Sequence, residues 1–386
     1  MDKIKIVRAT TVPMSLETFC IGILKELSEK YEIIALSSPG EEMKIVADRE
    51  GVRTIEVPME RHIAICKDIV ALFKLIVVFF RERPIMVHSM TPKAGLLCMM
   101  AAWLTRVPVR VHTFTGLVFP TSIGLKRKIL MATDWLTCTC ATHIIPEGEG
   151  VKNDLLRNGI TKKPMKVLGY GNVRGIDMVR FDRRPEVMTL AQEIRKDDVF
   201  TFVFVGRIVK DKGINELCQA MEMLSGIAPI RLLLVGPYED DLDPISQSSK
   251  DIIENNPSIE YLGSKYGDET LACYAAADCF VFPSYREGFP NTVIEAGAMG
   301  LPSIVTDING SREIIVQGEN GVIIPSKDTD ALYKAMLDMI RNKPARERMV
   351  ANARKMIASR FEQGFVRKCL LDFYDEILEP VICKRY

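Results

Sequence analysis

Histidine is scarce in this chain: His62, His88, His112 and His143 are the four in 386 residues. None stands four residues from another, so a zinc site is not expected. The ten cysteines fall at irregular positions, mostly inside apolar runs, and only Cys138 and Cys140 stand close together. That scatter fits buried free thiols in a reducing cytoplasm rather than a disulfide framework. A charge excess is missing as well. Net charge is +1; residues 1–172 carry 24 Lys and Arg against 17 Asp and Glu, and residues 173–386 carry 27 against 33. So mild a bias, with no basic patch interleaved with aromatics, excludes a nucleic-acid partner. The basic first half suits an anionic membrane surface instead.

No apolar run is long enough to cross a bilayer. Ile69–Phe80 is interrupted by Lys74 and bounded by Lys67-Asp68 and Arg81-Glu82-Arg83, short of the roughly 20 residues a span requires. It reads as a core helix, with a membrane-leaning face as the alternative. Signal-peptide character is absent too: Met1-Asp2-Lys3 runs directly into Ile4–Val7, so a folded domain is expected from the first residues. No internal repeat or low-complexity segment appears.

What the chain does have is the length and the 47% hydrophobic content for two cores. Short β-branched runs alternate with helix-length segments throughout, the pattern of parallel strands joined by helical crossovers. Strands are expected at Lys3–Arg8, Glu32–Ser37, Arg53–Val57, Ile85–Ser89, Val109–Thr113, His143–Pro146 and Lys166–Leu168. In the second half they are expected at Phe200–Val205, Arg231–Val235, Ile259–Tyr261, Cys279–Phe282, Pro302–Val305 and Gly321–Ile324. The fold class is therefore α/β, with two doubly wound parallel sheets. The glycine-rich Gly169–Asp177 stands where the first alternation ends and reads as the hinge between a domain at 1–171 and a second at 172–365. Its Gly169-x-Gly171-x-x-x-Gly175 is one residue too long for a dinucleotide loop, and no helix-forming run follows it. Gln363–Leu378 has the apolar spacing of an amphipathic helix.

The most informative stretch is Phe282-Pro-Ser-Tyr-Arg-Glu287-Gly288-Phe289-Pro290-Asn291-Thr292-Val293-Ile-Glu295-Ala-Gly-Ala-Met. A strand ends at a Pro-Ser turn, a Gly-Phe-Pro loop follows, and a helix opens near Asn291 or Thr292, with Asn291 a suitable N-cap. Loop and helix N-terminus then lie at the carboxyl end of a strand, where open α/β sheets bind ligands. Free N–H groups there suit a diphosphate, and Glu287 and Glu295 suit hydroxyl groups. The small Ala296-Gly297-Ala298 is expected to bring this helix close to the sheet. Upstream, Arg207 and Lys212 follow the strand ending in Val205-Gly206, so both cations reach the same crevice. Asp241-Leu-Asp243 is the kind of pair that holds a divalent cation, but in the polar stretch Tyr238–Lys250 it reads as a solvated acidic loop.

On these residues the chain resembles glycosyltransferase family 4. The match extends through Phe204-Val-Gly206-Arg207-Ile-Val-Lys-Asp-Lys212-Gly213, Leu232-Leu-Leu-Val-Gly236, Tyr261-Leu-Gly263 and Gly318-Glu-Asn-Gly-Val322. The resemblance implies the GT-B fold, two Rossmann-like domains facing across a cleft, the first completed by a C-terminal helix at about 366–386. It implies that Arg207 and Lys212 bind a donor diphosphate, that Glu287 meets donor-sugar hydroxyls and that Glu295 accepts from the ribose. Gly236 and Gly288–Val293 complete the donor site. It implies retention of anomeric configuration without a metal, and no cofactor beyond the nucleotide-sugar substrate, a UDP-sugar being the first expectation. The two domains are expected to close over the donor about Gly171–Gly175.

In the first half His112-Thr-Phe-Thr-Gly116 resembles the family segment whose histidine faces the transferring sugar. Where many relatives carry a glycine-rich loop, this chain has Ala9-Thr10-Thr11-Val12-Pro13-Met14-Ser15. Thr11 and Ser15 supply hydroxyls there, or Ser15 caps a helix running to Leu27. Thr91-Pro-Lys-Ala-Gly95 and Thr113–Phe119 resemble the bacterial branch that builds capsule or O-antigen on polyprenyl diphosphate. Lys126-Arg127-Lys128, near Phe119 and Ile123, which read as exposed, suits such an acceptor at the membrane face. The expectation is a cytoplasmic enzyme, peripheral at the inner face of the membrane, of unspecified oligomeric state. A nucleotide-sugar epimerase, a phosphorylase and a non-catalytic glycan- or lipid-binding subunit are the alternatives.

Overall fold

The computed structural model describes residues 3–240 and 243–383. The chain divides into two compact units, Met1–Gly175 with Gly364–Tyr386, and Ile176–Gln363.

Unit 1 opens with β1 (Lys5–Ala9), α1 (Pro13–Phe19), α2 (Ile23–Lys30), β2 (Glu32–Ser37), α3 (Glu41–Glu50) and β3 (Arg53–Glu56). It continues with α4 (Ile65–Glu82), β4 (Met86–Met90), α5 (Pro92–Leu104), β5 (Val109–Phe114), α6 (Gly124–Cys140), β6 (His143–Pro146) and α7 (Glu149–Arg157). Unit 2 contains α8 (Pro185–Ile194), β7 (Phe200–Val205), α9 (Ile214–Leu224), β8 (Ile230–Val235), α10 (Gln247–Asn255) and β9 (Ile259–Gly263). There follow α11 (Asp268–Ala275), β10 (Cys279–Phe282), α12 (Asn291–Ala298), β11 (Ser303–Thr306), α13 (Ser311–Ile314), β12 (Gly321–Ile324), α14 (Thr329–Arg341) and α15 (Lys343–Phe361). The last helix, α16 (Gln363–Ile382), packs Phe373, Tyr374, Ile377 and Leu378 into the core of unit 1.

All strands are parallel, in the orders β3-β2-β1-β4-β5-β6 and β12-β11-β10-β7-β8-β9. Helices cover both faces of such sheets, so central strands read as unbroken apolar runs: every residue of β8 and β10 is buried. In each unit the chain winds outward over three strands, then returns to lay its fourth beside its first. The winding therefore reverses between β1 and β4 and between β7 and β10, and ligands of open α/β sheets collect beyond the carboxyl ends at that reversal.

The structure corrects some local expectations. Lys166–Leu168 forms no strand; Met165 makes one isolated bridge to Ile144. Pro164 lacks a ladder donor and Gly169 turns the chain at φ +55, so the bracketed segment is too short to extend a sheet. The expected helix to Leu27 is two, broken at Gly22, whose φ of +72 carries it outside helical geometry. Val12 is the N-cap of α1, which leaves Ser15 inside the helix. Phe119 is buried, its ring part of the core against α5 and α6. Cys66 and Cys383 are exposed rather than buried. Among the described residues no helix is long and apolar enough to cross a membrane.

Candidate active site

In unit 2 the loops that follow β7 and β10 are stitched together at the winding reversal. The N–H of Tyr285 donates to the Asp211 carbonyl at 2.8 Å, and the Arg286 guanidinium lies 3.3 Å from the Asp211 carboxylate. Gly213 permits this approach. At φ +72 a side chain there is strained, and a Cβ would lie 2.1 Å from the Pro283 carbonyl oxygen. The result is that Lys212 and Glu287, 75 residues apart in sequence, form a largely buried ion pair. The Ser284 hydroxyl donates to the same Glu287 Oε1 at 2.8 Å, and the Lys212 ammonium sits 5.3 Å from the centre of the Phe282 ring. The hydroxyl of Thr306 at the end of β11 donates to the Ser284 carbonyl and fixes the turn.

Arg207 leaves the end of β7 half-exposed and is paired, not with Glu287, but with Glu239 at 2.7 Å. Glu239 belongs to the loop after β8, which lies along the Arg207–Lys212 segment. Ile208 N–H donates to the Pro237 carbonyl at 2.8 Å, and Asp211 N–H donates to the Asp243 carboxylate at 2.7 Å. The two loops meet closely where Gly236 stands, since a Cβ there would lie 1.9 Å from the Gly206 carbonyl oxygen. Asp241 lies outside the described residues. Asp243, its partner in the acidic pair, uses its carboxylate to hold the backbone beside Lys212.

The helix α12 begins at Asn291, with Pro290 rather than Asn291 in the capping position. Gly288, Asn291, Thr292 and Glu295 are partly accessible, whereas Phe289, Pro290 and Val293 are buried. The Phe289 ring packs edge-on against Phe361 at 5.5 Å, and Val293 N–H is already bonded to the Pro290 carbonyl. These three residues shape the loop and place its backbone. Glu295 accepts a hydrogen bond from the Tyr274 hydroxyl at 3.3 Å. The helix lies against β10 and β11 as well as α15, and it is α15 that Gly297 meets: a Cβ on Gly297 would lie 2.6 Å from Ile357 Cγ1.

His112 stands on β5 in unit 1, fully buried beneath α5, where a Cβ on Gly95 would lie 2.3 Å from the imidazole Cε1. Its Nδ1 is 2.9 Å from the Ser89 hydroxyl, and burial pushes its pKa down to about 3. It is therefore a neutral imidazole at physiological pH. Nearby, Arg8 is buried among neutral partners: His88 Nδ1 at 2.6 Å and the Tyr374 hydroxyl of α16 at 2.7 Å. His88 in turn contacts the Thr113 hydroxyl at 2.7 Å and is held well below its usual pKa by burial and by Arg8. The Thr11 hydroxyl accepts from Ala94 N–H at 3.1 Å and meets Thr91 at 2.8 Å, so it serves the start of α5.

The structure thus joins Lys212 with Glu287, gives Arg207 to Glu239 and Glu295 to Tyr274, and places His112 in the other unit. Sequence reading missed Glu239, Tyr274 and Asp211, and took Asp243 for part of a solvated acidic loop, whereas its carboxylate accepts from Asp211 N–H. Nothing in a polar loop such as 238–250 marks which carboxylate will meet an arginine more than thirty residues away.

Comparison with known proteins agrees with this layout. Residues 189–356 match the family model described as glycosyl transferases group 1, and residues 23–171 match the glycosyl transferase 4-like domain. The capsular polysaccharide biosynthesis glycosyltransferase CapM of Staphylococcus aureus is 32% identical over 382 residues, 98% of this chain and 99% of that one. The Escherichia coli UDP-Gal:alpha-D-GlcNAc-diphosphoundecaprenol alpha-1,3-galactosyltransferase is 26% identical over 303 residues, 76% of each chain. Among solved structures, Anabaena HepE in complex with UDP superposes with a TM-score of 0.80 at 15% identity, over 97% of this chain and 100% of that one. The stitched loops, the two sheets and these matches together mean that the chain belongs to the family 4 glycosyltransferases of GT-B fold, within the group that serves bacterial surface-polysaccharide synthesis.

Proposed function

We propose that this enzyme transfers a hexose or N-acetylhexosamine from a nucleotide-diphosphate donor, a UDP-sugar first, to a polyprenyl-diphosphate-linked glycan, with retention of configuration and without a divalent metal. The observation that carries this reading is the union of Lys212 and Glu287 at the β7/β10 reversal, with Arg207 on the adjoining loop. The bound UDP of HepE supports the choice of base, and the diphosphoundecaprenol acceptor in the E. coli relative's name supports the lipid. That both family models and the relative 32% identical over 98% of the chain are glycosyltransferases favours transfer over epimerisation.

The chemistry follows from charge. As the bond between the sugar C1 and the diphosphate oxygen breaks, negative charge grows on the diphosphate, where Arg207, Lys212 and the N–H groups opening α12 stabilise it. Glu287 and Glu295 accept hydrogen bonds from donor hydroxyls. The acceptor hydroxyl attacks C1 from the departing side, its proton passes to a diphosphate oxygen, and the nucleoside diphosphate leaves. His112 takes part only as a neutral imidazole.

Titration calorimetry with UDP tests the donor site. Arg207→Ala and Lys212→Ala are each expected to weaken UDP binding by about ten- to a hundredfold, the range for a charge-assisted hydrogen bond to phosphate. Glu239→Gln releases Arg207 from a competing carboxylate and is expected to tighten binding two- to fivefold, about the strength of a half-exposed ion pair. Unchanged affinity in both alanine variants, or a product of inverted anomeric configuration, sinks the reading. Activity abolished by EDTA removes the metal-independent part.

A further inference from the structure

Helix α4 buries Ala71, Leu75 and Phe79 along one side and leaves large apolar side chains in water along the other. Ile65 is 70% exposed, Phe73 65% and Phe80 67%, with Ile69, Val70 and Val77 exposed between them. At 100° per residue these six occupy one continuous arc of the helix, about 27 Å long for 18 residues. Among the described residues nothing covers this apolar surface, and such patches mark interaction sites.

The exposed charges that α4 itself carries beside the arc are basic. The helix has two carboxylates and both are turned away into ion pairs within unit 1: Asp68 with Lys93 at 2.5 Å, and Glu82 with Lys5 at 3.1 Å and Arg53 at 2.6 Å. Lys67, Lys74 and Arg81 recur every seven residues along one edge of the arc, exposed, with Lys67 held by Glu60. At the C-terminal end, beyond Phe80, an open cleft of about 490 Å³ lies between α4 and the α5–β5 turn. Its walls are Phe79, Phe80, Pro108 and Val381, and its two cations are Arg83 and Arg106, both exposed. Trp103 and Leu104, exposed at the end of α5, border the same turn.

We infer that this face of unit 1 lies in the interface of a bilayer containing anionic lipid. The Ile and Phe side chains of α4 enter the boundary between headgroups and acyl chains, and Lys74, Arg81, Arg83 and Arg106 meet lipid phosphates. A second copy of the chain is the poorer occupant. Lys74 sits at the middle of α4, so a two-fold pairing of the faces sets Lys74 against Lys74 and places no carboxylate opposite either. The inference deepens the lipid-linked acceptor reading and rests on it for its purpose, since it states which surface holds the enzyme where a polyprenyl-diphosphate acceptor resides. The sequence offered a membrane-leaning face as the alternative reading of Ile69–Phe80, and the inference takes that alternative over the Lys126–Lys128 segment, which carries Ile123 and Leu125 exposed but packs Phe119 inside.

Vesicle flotation of the full chain tests it, with phosphatidylcholine alone and with phosphatidylcholine containing a third phosphatidylglycerol, neither carrying a glycan acceptor. The wild type is expected to float with the anionic vesicles and weakly with the neutral ones. The double variant Phe73→Glu, Phe80→Glu should lose at least about tenfold in affinity, since two large apolar side chains no longer leave water. Lys74→Glu with Arg81→Glu should lose binding to anionic vesicles only. Because these side chains are exposed, an unchanged melting temperature and unchanged UDP affinity show that the variants fold. Wild-type protein that ignores both vesicles, variants that float as well as wild type, or a dimer dissolved by Phe73→Glu without any lipid binding each overturn the inference. Vesicle binding that survives while UDP affinity is absent refutes the donor reading instead.

Discussion

At the scale of single residues, the cations expected to meet a diphosphate are not idle in its absence. Arg207 and Lys212 each hold a carboxylate, so the crevice is close to electrically neutral and an entering anion exchanges for side chains already present. Position rather than charge count distinguishes the site. The same logic applies to an ionisable group outside it. Asp134 on α6 is pushed up to about 7 by burial, and no basic partner offsets this. Its unfolded counterpart titrates near 4, so the folded state holds the proton more tightly. The stability this group contributes is complete below about pH 4 and is lost as pH rises to about 7. Asp134→Asn should therefore stabilise the protein at pH 8 by roughly 1–3 kcal/mol after allowance for partial exposure, and by nearly nothing at pH 4. Urea unfolding at the two pH values measures this; an equal gain at both would mean the carboxylate is solvated.

How much the sequence disclosed is also clearest at this scale. Glu287 and Glu295 were legible because seven residues, a Pro-Ser turn and a Gly-x-Pro loop form one local signal. Glu239 was not, because its partner is fixed by the way β7 and β8 lie side by side. The same limit hid Phe119: an apolar residue after Gly116 looks alike in sequence whether it points inward or out.

At the scale of elements, strands were easier to read than helices. Parallel strands buried on both faces leave unbroken apolar runs, and twelve of the thirteen expected strands formed. The exception was bracketed by Pro164 and Gly169. Helix α4 shows the opposite difficulty. A segment apolar on nearly every side identifies a helix but not which arc the sheet covers, and only Ala71, Leu75 and Phe79 are buried. Close packing between elements also carries its own test. Gly297 lets α12 lie against α15, so Gly297→Ala forces a methyl group onto Ile357. The cost should be about 1–3 kcal/mol in urea unfolding. Combined with Ile357→Ala the loss should be less than the sum of the two single changes. Strict additivity would show that the contact does not limit the packing.

At the scale of the molecule, each unit has its own hydrophobic core, one assembled from residues 176–363 and the other from the N-terminal sheet with α16. Calorimetry should resolve two unfolding transitions, and UDP at a hundred times its dissociation constant should stabilise only that of residues 176–363, by about 2.7 kcal/mol. A single transition, or a shift of both, would show that the units melt together.

The helix that completes unit 1 is encoded after the whole of unit 2. While a ribosome is still extending the chain, Ile6, Ile33, Met86 and Val111 on that side of the first sheet await Phe373, Tyr374 and Leu378. Residues 176–363, by contrast, emerge as one uninterrupted stretch. During synthesis, then, the half that is translated second can settle first, while the half that is translated first keeps an uncovered greasy flank until residues 364–382 arrive.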